Sequence, residues 1–336
     1  MAAEVLLTHT PALFHDAVRR ATERLRAGDV VALPTETVYG LAANALDGAA
    51  VRRVFEIKGR PAHNPVIVHV AGWEMARGCV HHWPESATRL GRAFWPGPLT
   101  IVLGRSSNIP DVVTARGPTV GVRWPSHPFI QAVIRECGFP LAAPSANLSN
   151  EISPTNVKHV ERSLGRSVSL IVDGGQSQVG IESTVVDLTG PHPRMLRPGM
   201  IHRGSLSAAL GEEFIEGGPA SEILRSPGQL KRHYAPQAKL CILSWGSGDE
   251  LLEQAREKGI APAESAVITH TILPSPATWA AVNLIPHDAE AFARALYAEW
   301  HRCDEAGVRW IVMEAVPEGP EWRGIADRLQ RAAAAG

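Results

Sequence analysis

Apolar positions along the chain follow two patterns, one typical of helices and one typical of buried strands. The first helix is predicted over residues 12–27, where Val18, Ala21 and Leu25 share an apolar face and Gly28 follows as a stop signal. Short apolar runs then alternate with further helical patterns. These runs are VVALP at 30–34, VIVHV at 66–70, LTIVL at 99–103, TVGVR at 119–123, LAAPSAN at 141–147, LIVDGG at 170–175 and STVVDL at 183–188. The succession predicts one α/β or α+β domain over residues 1–210.

A change in composition marks the end of this domain. Residues 211–238 are rich in Gly, Pro and polar side chains, which is typical of a linker. Beyond the linker, residues 239–336 again alternate apolar runs with helical patterns, from the run LCILSW to the helical pattern WRGIADRLQRAAA. This alternation predicts a second, smaller α/β domain with a parallel sheet.

The composition narrows the class of protein. At 336 residues the chain is longer than one core usually is, and its 45% hydrophobic and 20% charged residues are ordinary for a globular protein. Because 33 Lys and Arg residues balance 34 Asp and Glu residues, we expect neither strong direct binding to nucleic acid nor binding to a membrane.

Four widely spaced cysteines indicate reduced thiols, and no apolar run approaches the roughly 18 residues of a membrane span. We expect a cytoplasmic protein.

The common signatures of catalysis and nucleotide binding are absent from the sequence. It contains no G-x-x-x-x-G-K-[ST] loop, no G-x-G-x-x-G after a strand, no G-x-S-x-G elbow and no H-E-x-x-H zinc motif. Any nucleotide must therefore be held by another arrangement. This absence favours substrate positioning and charge neutralisation over covalent catalysis.

Polar side chains gather where the predicted strands end, which is where α/β proteins collect their binding groups. Lys58, Arg60, Arg123 and Arg197 supply four cations among hydroxyls, amides and glycines. Taken singly, each motif also fits a helix cap, a polar turn or a solvated charge. Taken together, cations in one pocket suit a polyphosphate and a carboxylate.

Six motifs follow one another in the first domain: PTETVYGLAANA, KGRPAHNPVIVHV, VGVRWP, APSANLS, GIESTVVDL and LRPG. In this order they resemble the threonylcarbamoyl-AMP synthase family of YrdC-like enzymes. The segment SPGQLKRHYAP at 226–236 and the ending GIADRLQRAA resemble the long members of that family, which have two domains. The resemblance implies a YrdC-like domain with a twisted mixed sheet, followed by a smaller Rossmann-like α/β domain.

The resemblance also implies an ATP-dependent nucleotidyltransferase. L-Threonine, bicarbonate or CO2, and ATP give L-threonylcarbamoyladenylate and pyrophosphate, the first step of threonylcarbamoyladenosine modification of tRNA. Mg2+ is expected to neutralise the phosphates together with arginine and lysine. A separate tRNA threonylcarbamoyl transferase complex takes up the product, which agrees with the balanced charge of this chain.

Site residues are carried over position by position from the family motifs, with no metal ligand among them. Lys58 and Arg60 match a Lys-x-Arg pair and are predicted to be catalytic. The predicted threonine site comprises Thr37, His69, Arg123, Ala143 and Ser183. The predicted ATP site comprises Arg60, Asn64, Thr119, Ser145, Asn147, Ser153, Arg197 and Tyr234. The chain departs from the family in having Asn150, Glu151 and Ile152 where glycine and a basic residue are common, and this weakens the assignment of Ser153.

Two alternatives stay open at this stage. A carbamoyl-adenylate-forming enzyme of the O-carbamoyltransferase type shares the YrdC-like fold, but such proteins normally carry further domains with metal ligands, and residues 239–336 show no such cluster. A non-catalytic RNA-binding module predicts a basic stripe with stacking aromatic residues. The nine tryptophans are instead scattered along the chain.

Overall fold

The computed structural model describes residues 3–216 and 234–334. The chain forms two compact units, the first of Met1–Ser149 with Ser153–Leu230 and the second of Asn150–Ile152 with Lys231–Gly336. Residues 217–233, which include most of the predicted linker and of the motif SPGQLKRHYAP, lie outside the described residues.

The described part of the first unit contains a mixed sheet of eleven strands, flanked by helices. Its strands are β1 (Glu4–Leu7), β2 (Val31–Leu33), β3 (Gly40–Asn44), β4 (Val68–His69), β5 (Leu99–Gly104), β6 (Thr119–Arg123), β7 (Leu141–Ala142), β8 (Leu170–Asp173), β9 (Thr184–Asp187), β10 (Arg194–Arg197) and β11 (Ile215–Glu216). Its helices are α1 (Pro11–Arg26), α2 (Gly48–Lys58), α3 (Trp73–Gly78), α4 (Glu85–Phe94), α5 (Pro128–Cys137), α6 (Val157–Leu164) and α7 (Arg203–Leu210). The strand order is β1-β8-β2-β3-β7-β4-β6-β5-β9-β10-β11. The predicted α/β class is confirmed.

The first helix illustrates how local signals set its bounds. Thr10 caps α1 by accepting a hydrogen bond from the backbone N–H of Leu13 at 3.3 Å, and a proline occupies the first helical position. Gly28, just beyond the helix, adopts a positive φ of 79°, which glycine tolerates without strain. Helix α1 buries Ala21 and Leu25. The predicted helix over residues 12–27 is confirmed.

Strand β3 is not among the apolar runs of the sequence. Its residues, GLAAN, include small side chains and two alanines, so they carry no strand period and have weak intrinsic β-propensity. Pairing decides their conformation: β3 is antiparallel both to β2 and to β7. The β2–β3 connection is therefore a tight loop that places the TETVY residues against the sheet.

The described part of the second unit contains a four-stranded parallel sheet in the order β12-β15-β13-β14. Its strands are β12 (Lys239–Leu243), β13 (Ser265–Thr269), β14 (Ala281–Leu284) and β15 (Trp310–Glu314), and its helices are α8 (Gly248–Glu257), α9 (Ala289–Glu305) and α10 (Arg323–Ala333), with single 3-10 turns at Pro262–Glu264 and Pro320–Trp322. The predicted smaller parallel-sheet domain is confirmed. Within the described ranges of both units, no helix is long and apolar enough to cross a bilayer.

Candidate active site

Three loops of the first unit are joined to one another by hydrogen bonds. They are the β2–β3 loop (34–39), the part of the β7–α6 loop that belongs to this unit (143–149 and 153–156), and the β8–β9 loop (174–183). Tyr39 N donates to Pro154 O at 2.8 Å, and Val179 N donates to Glu36 O at 2.7 Å. The three polar motifs that are distant in sequence therefore form one polar region.

The β2–β3 loop is fixed by its own hydroxyl groups. Thr35 Oγ1 accepts from Thr37 N at 3.2 Å and donates to Val38 O at 2.6 Å, which is a side-chain turn of the kind that threonine favours. The hydroxyl of Tyr39 donates to Gly175 O at 2.7 Å, and burial raises the pKa of this phenol. Thr35 and Tyr39 thus hold the loop in place.

The ends of several strands meet at one edge of the sheet. His69 and Arg123 are the last residues of β4 and β6, and they are register partners in this parallel pair. The starts of β5 and β9 lie beside the end of β6 because β5 is antiparallel to β6 and parallel to β9. Ser183 immediately precedes β9. Three residues of the predicted threonine site therefore reach the same edge.

Glu36, from the β2–β3 loop, lies against Arg123. The guanidinium Nη2 and the carboxylate Oε1 are 2.7 Å apart, with side-chain exposures of 5% and 6%. The contact is an ion pair whose groups are not aligned for a hydrogen bond. Both carboxylate oxygens, Arg123 Nε and Nη2, and His69 Nδ1 are buried and have no hydrogen-bond partner among the described residues. An unsatisfied buried polar group destabilises a protein by about 1–3 kcal/mol, so such a concentration indicates a binding site.

His69 is held neutral by its surroundings. Burial, assisted by the neighbouring Arg123 cation, lowers its pKa to about 3, although the carbonyls of Ile67 and Leu141 partly oppose this shift. A neutral imidazole has one donor and one acceptor nitrogen, and Nδ1 is the one without a partner among the described residues. His69 is suited to hydrogen bonding rather than to charge neutralisation.

Arg197 and Ser183 form a second buried group at this edge. Arg197 Nε donates to Ser183 O and Nη2 donates to Ser183 Oγ, both at 3.1 Å. Ser183 Oγ also lies 2.8 Å from Thr100 Oγ1, and Thr100 is fully buried at the start of β5. Thr100 is absent from the predicted site, and the signal that could have found it is a hydroxyl inside the apolar run LTIVL.

Lys58 ends α2 and is buried. Its ammonium lies 2.5 Å from Ser145 O, 2.5 Å from Asn147 O and 3.2 Å from Asn147 Oδ1. These three acceptors match the three N–H donors of an ammonium group. The structure thus brings Lys58, Ser145 and Asn147 together, in an arrangement that anchors the β7–α6 loop.

Arg60 and Asn64 form a separate contact. Arg60 Nε donates to Asn64 O at 2.9 Å, and Nη2 donates to Asn64 Oδ1 at 2.8 Å and to Pro65 O at 2.6 Å. The guanidinium also lies 5.9 Å from the centre of the Phe55 ring. Arg60 and Asn64, two residues of the predicted ATP site, are therefore in direct contact and buried.

Three more predicted residues of this unit lie at the same loops. Thr37 and Ala143 are buried. A Cβ added at Gly40 would lie 3.2 Å from the Cβ of Ala143, so the glycine allows these two backbone segments to approach closely. Ser153 is buried and donates to Glu182 Oε1 at 2.6 Å, one residue before Ser183. These contacts connect the β7–α6 loop to the β8–β9 loop.

Two predicted ATP ligands lie elsewhere. Thr119 is partly exposed at the opposite end of β6 from Arg123. The four residue steps between them place their backbones about 13 Å apart. Tyr234 belongs to the second unit, where its ring stacks on Tyr297 with centroids 6.1 Å apart and lies 5.2 Å from the guanidinium of Arg328. Glu151 also belongs to the second unit.

Comparisons with known proteins cover both units. The family model described as "Telomere recombination" (Sua5, YciO and YrdC) matches residues 23–199, and the model described as "Threonylcarbamoyl-AMP synthase, C-terminal domain" matches residues 201–334. A threonylcarbamoyl-AMP synthase from Pyrococcus abyssi is 38% identical over 94% of this chain and 93% of its own length. The Bacillus subtilis synthase is 38% identical over 94% of this chain and 92% of its own length.

The fold agrees with a solved structure of the same class. The crystal structure of P. abyssi Sua5 complexed with L-threonine has a TM-score of 0.89 and 35% identity, covering 99% of this chain and 98% of that one. A structure of E. coli YciO, with a TM-score of 0.53 and 24% identity over 59% of this chain, shares the fold. Since the motifs, both domain models and the full-length relatives agree, the chain belongs to the threonylcarbamoyl-AMP synthase family.

Proposed function

We propose that the polar region of the first unit carries out the family reaction, which makes L-threonylcarbamoyladenylate and pyrophosphate from L-threonine, bicarbonate and ATP. The observation that carries this proposal is the set of buried polar atoms without described partners on Glu36, His69 and Arg123. A zwitterionic amino acid supplies an anion for the guanidinium and donors for the carboxylate. The likeness to a Sua5 structure complexed with L-threonine supports threonine as this ligand.

In this proposal L-threonine binds at the edge formed by β4, β6 and β9. Arg123 binds the carboxylate of threonine, because a buried guanidinium is the strongest carboxylate ligand in the region. His69 offers a neutral ring nitrogen, and Ser183 offers a hydroxyl. Thr37 and Ala143 complete the predicted site, and the small Ala143 side chain leaves room for the substrate.

ATP binds in this proposal beside threonine, against Arg60, Asn64, Ser145, Asn147, Ser153 and Arg197. A carbamate oxygen of N-carboxythreonine attacks the α-phosphorus, a new P–O bond forms, and the bond to pyrophosphate breaks with its electron pair. Arg60 and Arg197 neutralise charge on the phosphates. Lys58 holds Ser145 and Asn147 in place, and its predicted catalytic role, like that of Arg60, stays a prediction from the resemblance. The assignments of Thr119 and Tyr234 to ATP stay predictions from the resemblance.

Magnesium enters this proposal as part of the substrate MgATP. Among the described residues no group of three or more His, Cys, Asp and Glu side chains is placed to hold a metal ion. Mg2+ typically keeps several waters and binds through substrate phosphates with one or two carboxylates, so a dedicated protein cage is not required.

The proposal includes a location and a downstream partner. Burial raises the pKa of the Cys79 and Cys303 thiols to about 12, so these thiols stay protonated. All four cysteines are free thiols, which fits a reducing cytoplasm. We place the protein there, where a tRNA threonylcarbamoyl transferase complex consumes its product.

Purified full-length protein tests the proposal. With ATP, L-threonine and bicarbonate, we expect threonine-dependent release of pyrophosphate and a product with the mass of threonylcarbamoyladenylate. Equal release with serine, or a preference for carbamoyl phosphate as donor, would instead support the O-carbamoyltransferase alternative.

A further inference from the structure

Glu36 is not among the residues that the family resemblance assigns, yet its carboxylate lies 2.7 Å from Arg123 of the candidate threonine site. We propose that Glu36 is a catalytic residue that binds the ammonium group of L-threonine and accepts a proton from it before the amine attacks bicarbonate. This inference rests on the proposed function of the same site.

The backbone at Glu36 is fixed while its carboxylate remains available. Glu36 O accepts from Val179 N at 2.7 Å, and Thr35 and Tyr39 hold the loop on either side. The carboxylate is buried, and neither of its oxygens accepts a hydrogen bond from any described residue. An ammonium group offers three N–H donors, which fit these oxygens.

The Glu36–Arg123 ion pair is complementary to a zwitterion. Arg123 can exchange Glu36 for the carboxylate of threonine, and Glu36 can exchange Arg123 for the ammonium group, so the site stays neutral throughout. Once the substrate carboxylate occupies Arg123, the counter-ion of Glu36 is the ammonium group of threonine. Transfer of one proton between these two groups leaves two neutral groups in place of two buried charges. Substrate binding therefore prepares the proton transfer.

Other titratable groups near Glu36 are less suited to accept the proton. Arg123 faces it from β6, His69 stands beside Arg123 on β4, and His127 faces it from the N-terminus of α5. A proton on His69 would add a second buried cation beside Arg123. Burial lowers the pKa of His127 as well, although the charge of Glu36 opposes that shift. Glu36 is the one anion among these described groups.

The step balances with one proton accepted by Glu36. The ammonium of threonine gives a proton to Glu36, and the free amine attacks the carbon of bicarbonate with its electron pair. The new C–N bond forms, and the C–OH bond of bicarbonate breaks. The departing hydroxide takes the second proton of the nitrogen and leaves as water. The products are N-carboxythreonine, water and protonated Glu36, which solvent then deprotonates.

Two reactions of the same protein separate this role from a structural one. Synthesis from threonine, bicarbonate and ATP needs the base, whereas formation of ATP from purified threonylcarbamoyladenylate and pyrophosphate does not, because the released carbamate decomposes in water. For Glu36→Gln we expect synthesis to fall by at least about 100-fold, the usual size of a general-base effect, with ATP formation within about threefold of wild type. Residual synthesis should rise with pH as free threonine loses its ammonium proton.

Asp187→Asn is the matched control, since Asp187 is also a buried carboxylate of this unit and binds Thr189 at the other end of β9. We expect it to retain both reactions. If Glu36→Gln does not fold, Glu36→Asp provides the same test, with synthesis reduced more than ATP formation. Equal losses in both directions, or synthesis near the wild-type rate, would overturn the role of Glu36. Failure of the wild-type protein to synthesise the adenylate would overturn the proposed function and this inference with it.

Discussion

Two of the three buried glutamates among the described residues, Glu36 in the first unit and Glu314 in the second, have opposite surroundings. Glu314 ends β15 and accepts hydrogen bonds from Thr269 Oγ1 at 2.5 Å, His270 N at 2.7 Å and Thr271 N at 3.0 Å. Glu36 accepts none among the described residues and has only its ion pair with Arg123. Both carboxylates lie beside strand ends of α/β units, so strand position alone does not separate a binding group from a structural one. What separates the two is whether the carboxylate oxygens already accept hydrogen bonds within the protein.

The environment of Glu314 is that of a structural clamp. Burial raises its pKa, but hydrogen bonds from Thr269, Thr271 and the backbone of His270 and Thr271 outweigh burial, and the pKa falls below its ordinary value. The clamp ties the loop after β13 to the end of β15. In the second unit, the described buried side-chain atoms without partners are two indole nitrogens, on Trp279 and Trp300. No buried ionisable side chain among the described residues of that unit lacks a hydrogen-bond partner in the way that Glu36 and Arg123 do.

The largest effect is expected for Arg123→Met. It leaves the buried carboxylate of Glu36 without a counter-charge, which destabilises a protein by about 3–5 kcal/mol. It also removes the group that we propose binds the substrate carboxylate, so kcat/KM for threonine should fall by at least about 100-fold. Urea denaturation and pyrophosphate release measure the two effects.

The control is Arg203→Met, whose ion pair with Glu213 at 3.0 Å is exposed. Near-wild-type kcat/KM in Arg123→Met would contradict the assignment of this site.

A smaller effect, confined to stability, is expected for Glu314→Gln. Loss of a charged acceptor should lower the free energy of unfolding of the second unit by about 1–3 kcal/mol, while KM for threonine stays unchanged. Because the folded-state pKa is depressed, the stabilisation is present above the ordinary value of 4.5 and is lost as pH falls through the folded-state pKa. Amide hydrogen exchange of β13 and β15, followed as a function of pH, measures this loss of stability.

The exposed Glu290→Gln, in the first turn of α9, is the matched control for that experiment. It removes one carboxylate charge from the same unit without removing a buried acceptor. An equal loss of protection in both variants would show that charge, rather than the hydrogen bonds of Glu314, explains the result.

The smallest effect concerns the pH dependence at His69. The unfolded chain binds a proton near the ordinary pKa of 6.5, whereas the folded chain resists protonation down to about 3. The stabilisation is therefore full above 6.5 and is lost as pH falls through this window, by up to about 1.4 kcal/mol per pH unit. His69→Gln should reduce this slope between pH 6 and 5 in urea denaturation, with the part due to buried His127 remaining, whereas the exposed His15→Gln should leave the slope unchanged. Parallel slopes in wild type and His69→Gln would contradict a neutral buried imidazole.

Much of the fold follows from local patterns in the sequence. Helix α1 has its cap, its apolar face and its stop signal within one short segment, and β6 coincides with the apolar run TVGVR. The family motifs likewise identify Lys58 with Asn147, and Arg60 with Asn64, as members of one site, and the structure shows these pairs in contact. Strand β3 is different, because small residues such as its alanines carry no period and only pairing with β2 and β7 defines it.

The sequence by itself determined the family, the alternation of helices and strands outside segments such as β3, and the four cations of the first domain, because each of these depends on residue types at fixed spacings. Only the tertiary structure decided which groups face one another across the sheet. Glu36 reads in the sequence as a turn or cap residue, and Thr100 reads as part of an apolar strand. Their roles depend on Arg123 and Ser183, which the β-sheet brings close through backbone hydrogen bonds between distant segments, and no local pattern encodes that proximity.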